Sequence, residues 1–247
     1  MQFITYGDPD GPPILFIHGG GVAGWMWHPV IGHLPEYHCI VPDLPGHGAS
    51  DGSGGFNITE IAAAFTELLN THEGDTPITV VGFSVGAQIL IEMLSNHSAP
   101  IATSIIVSAN VQRYPLPGVF ARFGAAVLPL AQQRMFAKLQ ARDLGIPKHL
   151  FEQYFATSKA ISKQTFYETL LESLTYGLPN SFAGAPGNVF VVAGMREPRL
   201  IHTSVKNIVA MRPATRGTII PRMGHNIPFR DPEGFADMVR VWMGADG

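Results

Sequence analysis

The chain has 247 residues, 46% hydrophobic and only 14% charged, with a formal net charge of −3. That balance excludes a disordered or fibrous protein, and the lack of a basic surplus argues against a nucleic-acid partner. At roughly 150 residues per domain, the length fits one large domain carrying an insertion as well as two small ones.

Cys39 is the sole cysteine, so an intrachain disulfide and a thiolate metal cluster are both excluded. Its apolar run, Cys39-Ile40-Val41, reads as the setting of a buried, inert thiol. No apolar stretch approaches the ~18 residues of a spanning helix. The N-terminal MQFITYGDPDGPP lacks a basic start and an apolar core, so no secretory leader is expected. The expectation is a cytoplasmic protein with no membrane partner and an oligomeric state that the sequence does not encode legibly.

In chain order, Phe3 to Tyr6 reads as a strand and Gly7 to Pro12 as a turn. Ile14 to Ile17 and His38 to Val41 are continuous apolar runs, expected of strands buried on both faces. Pro42 to Gly48 is loop. Thr59 opens a helix whose stripe is Ile61, Ala62, Phe65, Leu68 and Leu69. Ile78 to Val81 is a β-branched strand, Gly86 to Asn96 a helix, and Ile101 to Val107 another buried strand. From about Val111 to Gly184 the pattern is helical only, over Val119–Gln140, Lys148–Ala160 and Ser162–Tyr176. Alternation resumes with the strand Val189–Val192, a helix over Thr203–Met211, the strand Thr218–Ile220 and a last helix from Pro232 to Met243. Strand–helix alternation predicts a mostly parallel central sheet flanked by helices on both faces, with a helical insertion.

Gly82-Phe83-Ser84-Val85-Gly86 joins the β-branched strand directly to a helix. Small residues two places either side of a serine permit a sharp, strained turn that lifts the hydroxyl above the sheet. A serine hydroxyl needs a base to act as a nucleophile. Among ten histidines, His225 in Met223-Gly224-His225-Asn226 lies just past the last strand, at the carboxyl edge where α/β ligands bind. Solvated or structural roles are expected for His28, His33, His38, His72, His97 and His149, and His47 reads as a loop organiser. A base needs an acid to hold its tautomer. Glu197, in Gly194-Met195-Arg196-Glu197-Pro198 after the Val189–Ala193 strand, also reaches that edge, where the competing reading is an ion pair with Arg196 or Arg199. His18-Gly19-Gly20-Gly21 follows the Ile14–Ile17 strand, and its glycines let a backbone N–H approach a substrate oxygen. Gly20 and Val85 are the expected oxyanion donors. The glycine loop lacks the Lys-Ser/Thr of a P-loop and the third glycine of a dinucleotide fingerprint, so no nucleotide cofactor is expected.

Together these pieces resemble the α/β-hydrolase family across nearly the whole chain. The resemblance rests on His18–Gly21, on Asp43-Leu44-Pro45-Gly46-His47-Gly48-Ala49-Ser50, on the Ser84 turn, on Gly194–Glu197 and on Gly224-His225, in the family order Ser, acid, His. It implies the α/β-hydrolase fold, with a core of residues 1–111 and 185–247 and a helical cap of residues 112–184. It also implies a Ser84–His225–Glu197 triad. The family's usual acid is Asp, so Glu197 is a departure, and Asn110 stands where a few members place an alternative Asp. Ser84 at the nucleophile position argues against the relatives that use Asp there.

The resulting expectation is a serine hydrolase of small, mostly apolar carboxylic esters or lactones, working through an acyl-enzyme with neither cofactor nor metal. Gly21, Trp25, Phe83 and Met195 neighbour the catalytic loops and are expected to meet substrate. Phe120, Phe123, Met135, Phe136, Phe151, Tyr154 and Phe155 are cap candidates for lining the pocket, although for most of them inward packing is the favoured reading. Charged residues are sparse in sequence near these loops, which favours neutral substrates, although Arg113, Arg196 and Arg199 have the chemistry to hold a carboxylate. Rival readings are a C–C bond hydrolase or hydroxynitrile-lyase-like enzyme of the same fold, and a ligand receptor that turns over slowly. The lyase lacks support because no lysine lies between Arg222 and Arg230.

Overall fold

The apolar runs become the strands of one seven-stranded sheet. They are β1 (Phe3–Gly7), β2 (Pro13–Ile17), β3 (His38–Pro42), β4 (Ile78–Phe83), β5 (Ile101–Val107), β6 (Asn188–Gly194) and β7 (Arg216–Ile220). The computed structural model describes residues 1–71, 77–96 and 98–244. His72 and His97 therefore lie outside the described residues. The spatial order is β1-β3-β2-β4-β5-β6-β7, with β1 antiparallel to β3 and every other pair parallel. β2 and β4 are buried at every position, which is why their sequences show no polar alternation.

Helices cover both faces. On one lie α2 (Ile58–Asn70), α3 (Val85–Ser95) and α8 (Arg199–Met211), whose apolar stripes meet Leu15, Ile17, Val80 and Val191 of the sheet. On the other, α1 (His28–Ile31) and α10 (Pro232–Met243) pack over Ile14, Phe16, Val81 and Val192, with Trp27 and Phe235 fully buried between them. The short α9 (Ile227–Arg230) leads into α10. Cys39 is buried on this side, and burial pushes its thiol up to about 12, so it stays protonated. Among the described residues, no helix is long and apolar enough to cross a membrane.

Between β5 and β6 the chain forms α4 (Pro117–Ala131), α5 (Arg134–Asp143), α6 (Phe151–Ala160) and α7 (Lys163–Thr175). The single helical run expected over 119–140 is thus two helices. They part at Gln132 and Gln133, where the Gln132 side chain donates to the carbonyls of Ser158 and Ile161 at the end of α6. Helix α8 starts at Arg199, four residues before the expected Thr203, directly after Pro198. Here a fixed φ at the helix boundary outweighed periodicity.

The inward packing expected of the aromatic residues fails on α4 and α5. Phe120, Phe123 and Met135 are half or more exposed, whereas Tyr154 is buried and Phe151 and Phe155 pack on the second core. The cause is the other face of α4. Ala121, Ala125 and Leu128 form its buried stripe, and Gly124 lies against Phe166 and Leu170 of α7. A close helix pair uses small residues, so the large ones turn outward.

Several hydrogen bonds among the described residues tie this helical segment to the sheet layer. Glu168 and Glu172 of α7 accept from the N–H groups of Phe56 and Ile58, at 3.1 and 2.9 Å. The second of these satisfies an otherwise orphaned donor in the first turn of α2. Gln88 Nε2 donates to Ser173 O, and Trp25 Nε1 to Thr157 Oγ1. Phe182, fully buried, closes the return to β6 by packing into the core beside α3. Phe182→Ala should cost about 3–5 kcal/mol, lowering Tm by roughly 10 °C in calorimetry.

Candidate active site

Ser84 stands where β4 turns into α3, with φ 55° and ψ −116°, a left-handed conformation that an L-residue occupies only under constraint. The constraint is packing. A Cβ on Gly82 would meet Gly86 O at 2.4 Å, and one on Gly86 would meet the carbonyls of Ile17 and His18 at 2.5 Å. The two glycines let α3 press against β2 and β4, and the Ser84 N–H is held by Val107 O at 2.9 Å. The Ser84 hydroxyl has no hydrogen-bond partner among the described residues and is partly exposed.

Glu197 lies in the turn after β6, its carboxylate wholly buried. Oε2 is 2.8 Å from Nδ1 of His225, which sits in the loop after β7. Oε1 accepts from the Gly194 N–H at 2.8 Å and from the Ser108 hydroxyl at 2.7 Å. Burial pushes this carboxyl up, but the His225 bond and charge, the Gly194 N–H and Ser108 together outweigh it and hold it below the usual glutamate value. Glu197 therefore pairs with His225, not with Arg196 or Arg199. The longer side chain is accommodated because Gly194 packs directly on the carbonyls of Met223 and Gly224, drawing the two loops together.

Two supporting residues escaped the sequence reading. Ser108 follows β5 with φ 55°, which turns its hydroxyl onto Glu197. The only sequence signal was its place at a strand's carboxyl end. His202, from the first turns of α8, bonds Gly194 O at 2.9 Å and steadies the same turn. The Asn110 side chain, by contrast, is spent on the Gln112 backbone, accepting from its N–H and donating to its carbonyl.

The His225 ring lies against Phe83, the residue before Ser84, with centroids 4.9 Å apart. Ser84 and His225 themselves share no hydrogen bond, as is common in unliganded sites of this kind. The backbone N–H groups of Gly20 and Val85 also have no partner among the described residues. They are neighbours, since a Cβ on Gly20 would lie 3.8 Å from Val85 Cγ1 and 3.1 Å from Thr169 Cγ2. Thr169 of α7 is buried, and its hydroxyl has no partner either.

The glycine loop is fastened from below. His18 is fully buried, with Nδ1 2.7 Å from Gly19 O and Nε2 accepting from Leu44 N–H at 2.9 Å. Burial and the nearby His47 hold His18 down to about 3, so it is the neutral Nδ1–H tautomer. His47 is buried too and bonds Pro45 O. Asp43 accepts from Gly24 N and Ala49 N, joining this loop to the turn that carries Trp25.

Of the residues expected to meet substrate, Gly21 has φ 78° and faces open space. Phe83 is buried between Trp27 and His225. Trp25 spends its indole N–H on Thr157, meets Tyr154 edge-on and lies tilted against Phe229. Met195 is 55% exposed. The expected scarcity of charge near the loops does not hold in three dimensions, because Arg142, Arg196, Arg222 and Arg230 line one cavity beside His225. Arg113 instead packs on Gly177, and Arg199 opens α8 outside that cavity. Among the described residues no group of three or more His, Cys, Asp or Glu side chains is placed to hold a metal ion.

A model of the alpha/beta hydrolase family matches residues 14–238. The chain belongs to that family. The hydrolase is 35% identical over 104 residues to lipase LipV of Mycobacterium tuberculosis, an overlap of 42% of this chain and 40% of LipV. The match thus spans less than half of that relative. Its fold superposes on MenH of S. aureus with a TM-score of 0.82 at 21% identity, covering 98% of both chains. The esterase EaEST of Exiguobacterium antarcticum gives a TM-score of 0.83 at 17% identity, over 98% of this chain and 94% of that one. At these identities the two structures share the fold.

The pH behaviour of the hydrolase follows from its buried histidine. A folded-state value near 3 against 6.5 when unfolded means that His18 stabilises the fold above 6.5 and loses that contribution as pH falls from 6.5 toward 3. Glu197, also held low, works in the same direction at lower pH. Denaturant titrations should show wild-type stability falling between pH 6.5 and 4, with a shallower slope in His18→Gln.

Proposed function

We propose that this chain is a serine hydrolase that cleaves small carboxylic esters or lactones through an acyl-enzyme, with residues 112–184 as a cap over the site. The single observation that carries this reading is the arrangement at the carboxyl edge of the sheet. A strained serine with a free hydroxyl stands near two unpartnered backbone N–H groups, and the residue before it packs on an imidazole whose Nδ1 is bound to a buried carboxylate.

In this reading Ser84 Oγ attacks the ester carbonyl and His225 Nε2 takes its proton. Glu197 fixes the tautomer that leaves Nε2 unprotonated and stabilises the imidazolium once formed. The Gly20 and Val85 N–H groups hold the oxyanion, and the dipole of α3, whose N-terminus lies at Val85, adds to the field there. His225 returns the proton to the leaving alkoxide, and water then resolves the acyl-enzyme by the same route. Thr169 offers its vacant hydroxyl beside Gly20 as a further contact for a substrate oxygen. The similarity to a lipase and to an esterase supports ester chemistry, and Ser84 at the strained turn supports the covalent step.

The test is hydrolysis of p-nitrophenyl esters from acetyl to decanoyl. Ser84→Ala and His225→Ala should each lower kcat by about 10⁴-fold or more, and Glu197→Gln by less because the base remains. Full activity in Ser84→Ala would end this reading, and full activity in Glu197→Gln would remove the acid from it. Thr169→Val should lower kcat/KM roughly fivefold, as loss of one hydrogen bond does, with Tm kept or raised because a buried hydroxyl without a partner costs the fold.

A further inference from the structure

Four arginines from four separate segments meet at one cavity of about 830 Å³. Arg142 comes from the last turn of α5, Arg196 from the position just before Glu197, Arg222 from the turn after β7 and Arg230 from the end of α9. The cavity wall also includes Gly224 and Asn226, the residues on either side of His225. It therefore adjoins the candidate active site without containing Ser84.

None of the four guanidinium groups has an ion-pair or hydrogen-bond partner among the described residues. Asp143 is the only carboxylate in the wall, which leaves a formal charge of +3 in a chain whose total is −3. Surface arginines are ordinarily interspersed with acids, as Arg134 is with Glu152 and Arg240 with Glu36 and Asp237. Here they converge instead, and a concave wall of net positive charge focuses its field on whatever enters.

Two features of the backbone build this convergence. Arg222 has φ 64°, the left-handed region that favours glycine. An arginine held there is strained, and such strain is retained where it aims a side chain at a task. The turn after α5 is seated on the His225 loop, since a Cβ on Gly145 would strike Asn226 Nδ2 at 2.6 Å. That contact brings Arg142 to the same wall as Arg222 and Arg230.

We infer that this cavity binds an oxyanion, a carboxylate or a phosphate monoester, carried by the part of the substrate that extends past His225. Planar guanidinium forks match the paired oxygens of both groups. The inference rests on the serine-hydrolase reading and gives it a substrate class: esters or lactones with an anionic arm. The arm belongs to the acyl part or to the leaving group, and the experiment separates these.

The experiment measures kcat/KM for matched neutral and anionic esters. Mono-p-nitrophenyl glutarate against p-nitrophenyl butyrate places the charge on the acyl side. Butyryloxybenzoate against phenyl butyrate places it on the leaving group. The proteins are wild type, Arg222→Gly and Arg196→Ala. Glycine adopts φ 64° freely, so Arg222→Gly should keep or raise Tm, which separates lost binding from lost folding. In wild type one anionic ester of the two pairs should be favoured about tenfold. Each substitution should cut that preference about fivefold, within the range measured for charge-assisted contacts, and 0.5 M NaCl should shrink it further.

Titration with inorganic phosphate, followed by calorimetry, supplies a readout that needs no turnover. If wild type and both variants treat each pair alike while cleaving the neutral esters, the inference is overturned and the serine-hydrolase reading stands. If phosphate binds in an Arg222-dependent way but neither anionic ester is favoured, the site serves a free anion, and the substrate class is overturned. If wild type cleaves no ester, phosphate binding that is lost in Arg222→Gly supports the cavity and counts against the hydrolase reading. No phosphate binding in that case overturns the cavity as well.

Discussion

The carboxyl edge of the sheet is organised by a buried carboxylate. The Glu197 side chain has no solvent exposure, so its carboxylate must find its donors in the protein. It finds them on three different strand ends: the Ser108 hydroxyl after β5, the Gly194 N–H at the end of β6 and His225 after β7. The register of the parallel sheet brings those ends together, and satisfying the carboxylate in turn fixes their loops. Burial alone would push the carboxyl toward its neutral form. The donors reverse that, so the charge which holds the His225 tautomer is itself a product of the fold.

The same economy of space governs the other half of the site. Gly82 and Gly86 allow α3 to cross within contact distance of β2, and the resulting turn holds Ser84 in a conformation it would not choose alone. The glycine loop after β2 is set by His18, which stays neutral because it is buried, and by the Leu44 N–H it accepts. The Gly20 and Val85 N–H groups are left without partners by this geometry. Gly20 is exposed and Val85 buried, and both donors remain open to a ligand beside a free hydroxyl, which is a chemical feature of the edge.

The helical segment between β5 and β6 follows a different logic. Its inner face is specific and polar, with Glu168 and Glu172 reaching backbone N–H groups near the start of α2 and Thr169 lying over Gly20. Its outer face carries Phe120, Phe123 and Met135 toward solvent, because small residues occupy the α4–α7 contact. Hydrophobic periodicity marks a stripe but not which of two stripes is buried, so the sequence pointed these rings inward. Element boundaries shifted for local reasons of the same kind, as where Pro198 starts α8 early and Gln132 divides a run that reads as one helix.

The sequence by itself determined the alternation of strands and helices, the mostly parallel sheet, the place of the helical insertion and the three loops that hold Ser84, Glu197 and His225. These features are local: a buried strand is a short apolar run, a tight turn needs glycine, and chain order assigns each loop to a strand end. The tertiary structure decided what depends on segments far apart in sequence. It chose Ser108 and His202 as the supports of the Glu197 turn, sent the aromatic face of α4 outward and gathered four arginines from α5, α9 and two loops around one cavity. Those arginines lie scattered between residues 142 and 230, and charge density is a property of space, so only folding could reveal a cationic wall in an acidic chain.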